Sequence, residues 1–280
     1  MMLSVNIGPL ALPMGLLSLL AAGVVAAGVG HWVGRRTQIG IVNNLSDMLI
    51  AAVLAARIGF VATWFELYRA TPWWSMLDIR DGGFLLWPGV VAALLVALWQ
   101  GWRRPVLRKP LAAGLAAGAL VWGAFFAAST STDQPTLPAT ALTTVAGEPI
   151  NLTALANGKP IVVNLWASWC PPCRREMPVL AAAQQRETGV TFVFVNQGED
   201  AAAAQRFLDA GQLGLANVVL DPNTGLGREV KSAALPTTLF YDAAGRRVDT
   251  HLGELSAASL ASKLHALGVS AAAPGASPNP

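Results

Sequence analysis

Long, almost uninterrupted apolar runs fill the first half of the chain. Short apolar runs, separated by polar and Ala-rich stretches, fill the second. Four runs in the first half approach the roughly 20 residues that a helix needs to cross a bilayer: Ile7 to Val33, Met48 to Phe65, Phe84 to Trp102 and Leu111 to Ala128. The first has no basic residue ahead of it and is too long for the apolar core of a cleavable signal, so it is expected to be retained. After Asp133 the period shortens. Strands are expected at Ile161–Trp166, Thr191–Val195, Val218–Leu220, Thr237–Tyr241 and Arg247–His251, with a small hairpin around Gly147 and Glu148. Helices are expected near Pro178–Thr188, Ala201–Ala210 and Ser256–Leu267. Strands alternating with helices indicate an α/β sheet domain.

The chain therefore reads as an α-helical membrane domain of four spans over 1–128 and an α/β domain over 145–269. A Ser/Thr/Pro-rich spacer over 129–144 joins them, and a tail over 270–280 has the composition of disordered chain. Charged residues make up 12% of the sequence, about half the usual soluble share, and the deficit lies in the first half.

Arg35 and Arg36 follow the first run, and Arg103, Arg104, Arg108 and Lys109 follow the third. Both clusters fall on one side of a four-span topology, which makes that side cytoplasmic and puts both termini, with the α/β domain, on the outer face. The net charge of +3 comes from these clusters and not from a basic stripe, so no nucleic-acid partner is expected. Arg57 stands inside the second run, where a charge is costly and calls for a partner or a role such as contact with a lipid phosphate.

The chemistry rests on Cys170 and Cys173, the two cysteines of the chain. Such a pair is a redox couple, half a metal site or a clip. A haem attachment site would need His at position 174, which is Arg. A structural zinc site would need two further ligands, and His251 and His265 are not spaced to supply them. No metal or other cofactor is expected. The pair follows a strand and opens a helix, where free N–H groups and the helix dipole favour a thiolate. Cys170 is then the nucleophile and Cys173, one turn on, the resolving thiol. Arg174 and Arg175 add positive charge, and Pro171 and Pro172 suit a first turn.

The string Trp166-Ala167-Ser168-Trp169-Cys170-Pro171-Pro172-Cys173-Arg174-Arg175-Glu176-Met177-Pro178 closely resembles the thioredoxin-like reductases of the TlpA/ResA type, as does Leu235-Pro236-Thr237-Thr238 further on. The resemblance covers about Pro138 to Leu267. It implies a thioredoxin-like fold, a cis Pro236 opposite the cysteines, and a substrate strand received along Trp169, Leu235 and Pro236. It also implies exported disulfide-containing proteins as substrates. Because the membrane half has no cysteine, electrons are expected from a separate thiol donor such as a thiol-transporting membrane reductase. Asn164 stands where cytoplasmic thioredoxins carry a buried Asp. Glu176 is the candidate for proton transfer, set against a solvated carboxylate on a helix face.

In the first half, Ile7-Gly8-Pro9-Leu10-Ala11-Leu12, Ala56-Arg57-Ile58-Gly59-Phe60 and Asp81-Gly82-Gly83-Phe84 together resemble the N-terminal half of prolipoprotein diacylglyceryl transferase. Where that family continues with His-Gly-Gly this chain has Trp87-Pro88-Gly89, and the family's second half is replaced by the α/β domain. The resemblance thus implies an anchor or a lipid-handling remnant rather than acyl-glyceryl transfer.

Overall fold

A computed structural model describes residues 4–7, 10–35, 40–69, 71–130, 136–232 and 234–269. The chain divides into two compact units: Leu12–Phe65 with Gly83–Thr132, and Met1–Ala11 with Glu66–Gly82 and Asp133–Pro280. Two short strands, β1 (Ser4–Ile7) and β2 (Leu10–Pro13), pair with one another. Then come α1 (Met14–Gly34), α2 (Val42–Thr63), the short α3 (Phe65–Arg69), α4 (Leu86–Arg103) and α5 (Arg108–Thr130).

In the helical unit α1 packs on α5 and α2 on α4. Apolar helices gain nothing by hiding from lipid, so they associate where small residues let their backbones approach. Ser18, Ala22, Ala26, Gly30 and Gly34 recur every fourth residue on the buried stripe of α1. A Cβ on Gly114 of α5 would stand 2.6 Å from the Ala26 carbonyl oxygen, and one on Gly118 would stand 3.1 Å from that of Ala22. Gly89 of α4 meets the Ala52 carbonyl of α2 in the same way, at 2.9 Å. Leu16, Leu19, Leu20, Leu94, Leu95 and Leu98 point outward and exposed, as side chains facing lipid do.

Three helices among the described residues are long and apolar enough to cross a membrane: Met14–Gly34, Val42–Thr63 and Pro105–Ala128. Of the four expected spans, one does not meet this measure. The expected third span is the 18-residue α4; Pro88, Trp99, Gln100, Trp102 and Arg103 dilute its apolar run. The first span starts at Met14 instead of Ile7, because β2 keeps the chain extended up to Pro13 and proline sits readily at a helix start. Gly8 and Pro9 lie outside the described residues.

The other unit carries β3 (Leu142–Thr144), β4 (Pro149–Ile150), α6 (Leu152–Ala156), β5 (Ile161–Trp166), α7 (Pro171–Arg186), β6 (Thr191–Gln197) and α8 (Ala201–Ala210). It continues with β7 (Val218–Asp221), α9 (Gly225–Glu229), β8 (Thr237–Tyr241), β9 (Arg247–Leu252) and α10 (Ala257–Ala266). Seven strands form one mixed sheet in the order β4-β3-β7-β6-β5-β8-β9. β5 pairs parallel with β6 and antiparallel with β8.

Every residue of β5 is buried, as a strand covered on both faces requires. Alternation sends Val162 and Trp166 into one core with Met177, Leu180 and Leu264, while Ile161, Val163 and Leu165 join the other with Leu152 and Leu226. Of the stretch read as a spacer, Thr136 bridges to Arg246, Leu137 donates its N–H to the Gly245 carbonyl at 2.9 Å, and Leu142–Thr144 is a strand. Residues 131–135 and the tail, 270–280, lie outside the described residues.

The close α1–α5 approach carries a prediction. Gly114→Leu forces the helices apart and costs about 1–3 kcal/mol by overpacking, which lowers the melting temperature of the detergent-solubilised protein. Gly123→Leu, with nothing within 4 Å of its Cβ position, leaves it unchanged.

Candidate active site

β5 ends at Trp166, and the turn Ala167-Ser168-Trp169 delivers Cys170 as the N-cap of α7, with Pro171 and Pro172 in the first helical turn. Glu199, in the loop after β6, holds this turn. Its carboxylate accepts the Ser168 N–H at 2.7 Å, the Ser168 hydroxyl at 2.5 Å and an Asn196 amide hydrogen at 2.7 Å. Cys170 and Cys173 form a disulfide, and the Cys173 N–H points at the Cys170 Sγ from 3.3 Å. That donor, with the helix dipole behind it, is what stabilises a thiolate on Cys170 once the bond opens. Cys170 is 3% exposed and Cys173 is 0%, so the first cysteine is the one an incoming disulfide reaches.

Trp169 is 66% exposed beside the pair, a large apolar face in solvent. The Leu235–Pro236 peptide is cis. The register of β8 on β5 pairs Thr237 with Leu165 and Thr238 with Asn164, which brings Pro236 to the same end of the sheet as the cysteines. Hydroxyl contacts from Thr237 to Ser232, at 2.7 Å, and to the Ala234 carbonyl, at 2.6 Å, fix the loop before β8. Arg175 pairs with Glu254 at 2.6 Å, and Arg174 lies 5.8 Å from the Phe207 ring centroid.

Glu176 is the main surprise. It is fully buried, which corrects its reading as a solvated helix-face carboxylate. It lies three residues after Cys173 on the buried stripe Cys173, Glu176, Met177, Leu180, Ala183 of α7. Oε1 accepts from Asn164 Nδ2 at 2.8 Å and Oε2 from the Leu255 N–H at 2.9 Å. Asn164 also donates to the Thr238 hydroxyl at 3.0 Å. Burial pushes the Glu176 carboxyl up to about 8, with the two donors pulling it back and Glu254 adding to the rise.

Asn164 and Glu176 thus sit together, with Glu176 three residues after Cys173 on the same buried stripe of α7. Glu199, Thr238 and the Leu255 N–H were not foreseen. The helical spacing of Glu176 within an apolar stripe was the available signal for its burial, whereas Glu199 and Leu255 come from distant loops and left none.

Arg57 lies apart, in the helical unit. It is 7% exposed, donates to the Gly83 carbonyl at 2.9 Å and stands 5.9 Å from the ring centroids of both Phe60 and Phe84. Two of the strings read as transferase-like therefore meet in space. Among the described residues no cluster of three or more His, Cys, Asp or Glu side chains could hold a metal ion.

Fold and site define a thioredoxin-like protein with a redox-active cysteine pair. A family model described as Redoxin matches residues 132–264. The thiol-disulfide oxidoreductase ResA of Halalkalibacterium halodurans is 34% identical over 112 residues, which is 39% of this chain and 62% of that one. The thiol:disulfide interchange protein HelX of Rhodobacter capsulatus is 33% identical over 131 residues, 46% of this chain and 73% of that one. The crystal structure of StoA from Bacillus subtilis has 27% identity and a TM-score of 0.39, covering 45% of this chain and 96% of that one. The chain belongs to the TlpA/ResA/DsbE family of thiol-disulfide oxidoreductases, here carried on an apolar helical anchor. The family match and the sequence relatives support the redox half of the expectation and lend nothing to a diacylglyceryl-transferase-like domain.

The buried acid makes stability depend on pH. Between about 4.5 and 8 the unfolded carboxyl of Glu176 ionises while the folded one stays protonated. The folded state then binds more protons, and stability falls as pH rises. His251, held down to about 4 by burial with Lys263 nearby, acts in the opposite sense, and its contribution ends near its ordinary value of 6.5. From pH 6.5 to 8 the Glu176 slope therefore remains after that of His251 has ended. Melting of the oxidised protein across that window should show a loss on the order of 1–2 kcal/mol that Glu176→Gln removes.

Proposed function

We propose that this protein is a membrane-anchored thiol:disulfide reductase whose domain works on the outer face of a bacterial inner membrane on exported proteins. The reading rests on one observation above all: a cysteine pair capping α7 with a buried carboxyl group directly behind it. With both cysteines reduced, the Cys170 thiolate attacks a substrate disulfide and expels one substrate thiolate, leaving a mixed disulfide. In the molecules whose Glu176 is ionised, a fraction that grows as pH approaches 8, the Cys173 thiol gives its proton to that carboxylate, and its sulfur attacks the Cys170 Sγ. The second substrate thiolate leaves. The substrate gains two electrons and the Cys170–Cys173 bond re-forms. Trp169, Leu235 and Pro236 supply the surface along which the substrate strand lies. The chain has no third cysteine, so the electrons return from a separate thiol donor.

The outward orientation is supported by the basic clusters Arg35-Arg36 and Arg103-Arg104-Arg108-Lys109, with α4 as a short fourth span beside α2. Its 18 residues rise about 27 Å, close to the thickness of the hydrocarbon core. The proposed organisation is a helical anchor over 1–128, apart from the segment 66–82 that packs with the redox unit, and a redox domain over 145–269 that also takes in Leu137 and β3 from the stretch read as a spacer over 129–144. Arg57, buried between two aromatic rings, is the candidate contact for a lipid phosphate.

Three variants test the chemistry. Cys170→Ser abolishes reduction of a model protein disulfide, and Cys173→Ala accumulates a mixed disulfide visible on a non-reducing gel. Glu176→Gln slows resolution by about 10²-fold at neutral pH; an unchanged rate would remove Glu176 from the mechanism. The direction is read in cells by acid quenching and a mass-shifting maleimide. A mostly reduced pair is expected, and a mostly oxidised pair in cells with intact donor systems overturns the reductase assignment.

A further inference from the structure

The segment Glu66–Gly82 lies between α2 and α4 in sequence, yet it packs as part of the redox unit. Its anchor is Asp81, 6% exposed, whose Oδ2 accepts from the Tyr68 hydroxyl and from the Ser256 hydroxyl, each at 2.9 Å. Tyr68 is itself 3% exposed. Gly82 takes a left-handed φ of 65° against β9, where a Cβ would stand 2.9 Å from His251 Cε1. Ser256 is the N-cap of α10, and the residue before it is Leu255, whose N–H binds Glu176. A hydrogen-bonded path thus runs from Tyr68 and Asp81 through Ser256 and Leu255 to the carboxyl group beneath the cysteines. A crevice of about 230 Å³ remains between the segment and α7, lined by Leu67, Thr71, Arg175 and Val179 among others, so polar contacts at the Asp81 end carry much of the docking.

We propose that the segment Glu66–Gly82 is a strap that holds the 253–256 turn against the active site, with Asp81 as a positioning residue that sets the proton affinity of Glu176. The proposal rests on the role of Glu176 as proton acceptor.

Two effects of Asp81 on Glu176 have opposite signs. Removing its negative charge makes ionisation of Glu176 easier. Releasing the turn withdraws the Leu255 N–H, a donor to the charged form, and makes ionisation harder. The other groups facing the turn or Glu176 are Glu254, paired with Arg175 and near Arg80; His251, whose Nε2 lies 3.2 Å from the Glu254 carbonyl; Asn164 and Thr238 from the sheet; and the two cysteines. Of these, His251 also responds to the Asp81 charge, which favours its protonated form; Asp81→Asn removes that charge just as Asp81→Ala does and controls for it.

The test is the pH profile of mixed-disulfide resolution for the full chain in detergent or lipid nanodiscs. Asp81→Ala is expected to move the ascending limb about half a unit or more to higher pH and to speed amide exchange at Leu255. Asp81→Asn, which keeps an oxygen for Ser256 but not the charge, leaves the limb at the wild-type pH or below it. In the Glu176→Gln background Asp81→Ala has no further effect on the profile.

An Asp81→Ala limb that is unmoved, or moved to lower pH, shows that Asp81 acts as a charge or not at all, and overturns the proposal. If Asp81→Ala fails to fold, Ser256→Ala against Ser256→Thr decides the matter, because Thr keeps both the helix cap and the hydroxyl that reaches Asp81. A Glu176→Gln protein that retains the wild-type limb would defeat the proton-acceptor reading instead, and the single variants separate the two failures.

Discussion

Among the described residues Glu176 is buried without a cationic partner, and much of the redox unit is arranged around that fact. An ionised carboxylate so placed would be strongly destabilising, so the group stays protonated to about pH 8 and its two oxygens are assigned to Asn164 and the Leu255 N–H. Asn at position 164 is part of the same solution. A second acid there would set two buried carboxyl groups within hydrogen-bond reach, and both could not ionise together. The amide instead links Glu176 to Thr238 on β8, the strand that starts just after Pro236. Glu176, the central strand β5 and the start of β8 are therefore joined in one polar network inside an apolar core.

The cysteines depend on this frame from above. Cys170 is fixed by the cap of α7 and by the Glu199 contacts to the Ser168 turn, and Cys173 by the first turn of the same helix. A short turn between a fully buried strand and a helix N-terminus leaves little freedom to the attacking sulfur. What stays open to solvent is Trp169, a large apolar side chain beside the cysteine pair. The helical unit is governed by a different force. Its contacts come from small residues spaced every four positions, and its large side chains face outward, the reverse of the redox core.

Much of this was legible in the residues. The buried strands, the CxxC at the head of a helix and the proline before Thr237-Thr238 carry strong local signals. The strand and helix positions followed from periodicity, with ends extended by a residue or two, as in Thr191–Gln197 and Val218–Asp221. The Ala-rich stretch from Pro178 showed only the later part of α7, whereas the cysteine pair marked its start, and the helix runs unbroken from Pro171 through Pro178 despite three prolines. The count of spans was read from apolar length alone, and α4 shows how a proline, a glutamine and three tryptophans weaken that reading.

The sequence by itself determined the chemistry: two thiols one helical turn apart, an apolar anchor, and no further cysteine to relay electrons. Those depend on local spacing and composition, which the chain carries without folding. Only the tertiary structure decided which groups serve the thiols. Glu176 becomes a high-pKa acid because β5, β8 and the turn before α10 close over it, and Asp81 reaches Ser256 across 175 residues of chain. Desolvation and long-range hydrogen bonds depend on what surrounds a residue in space, and no periodicity encodes that.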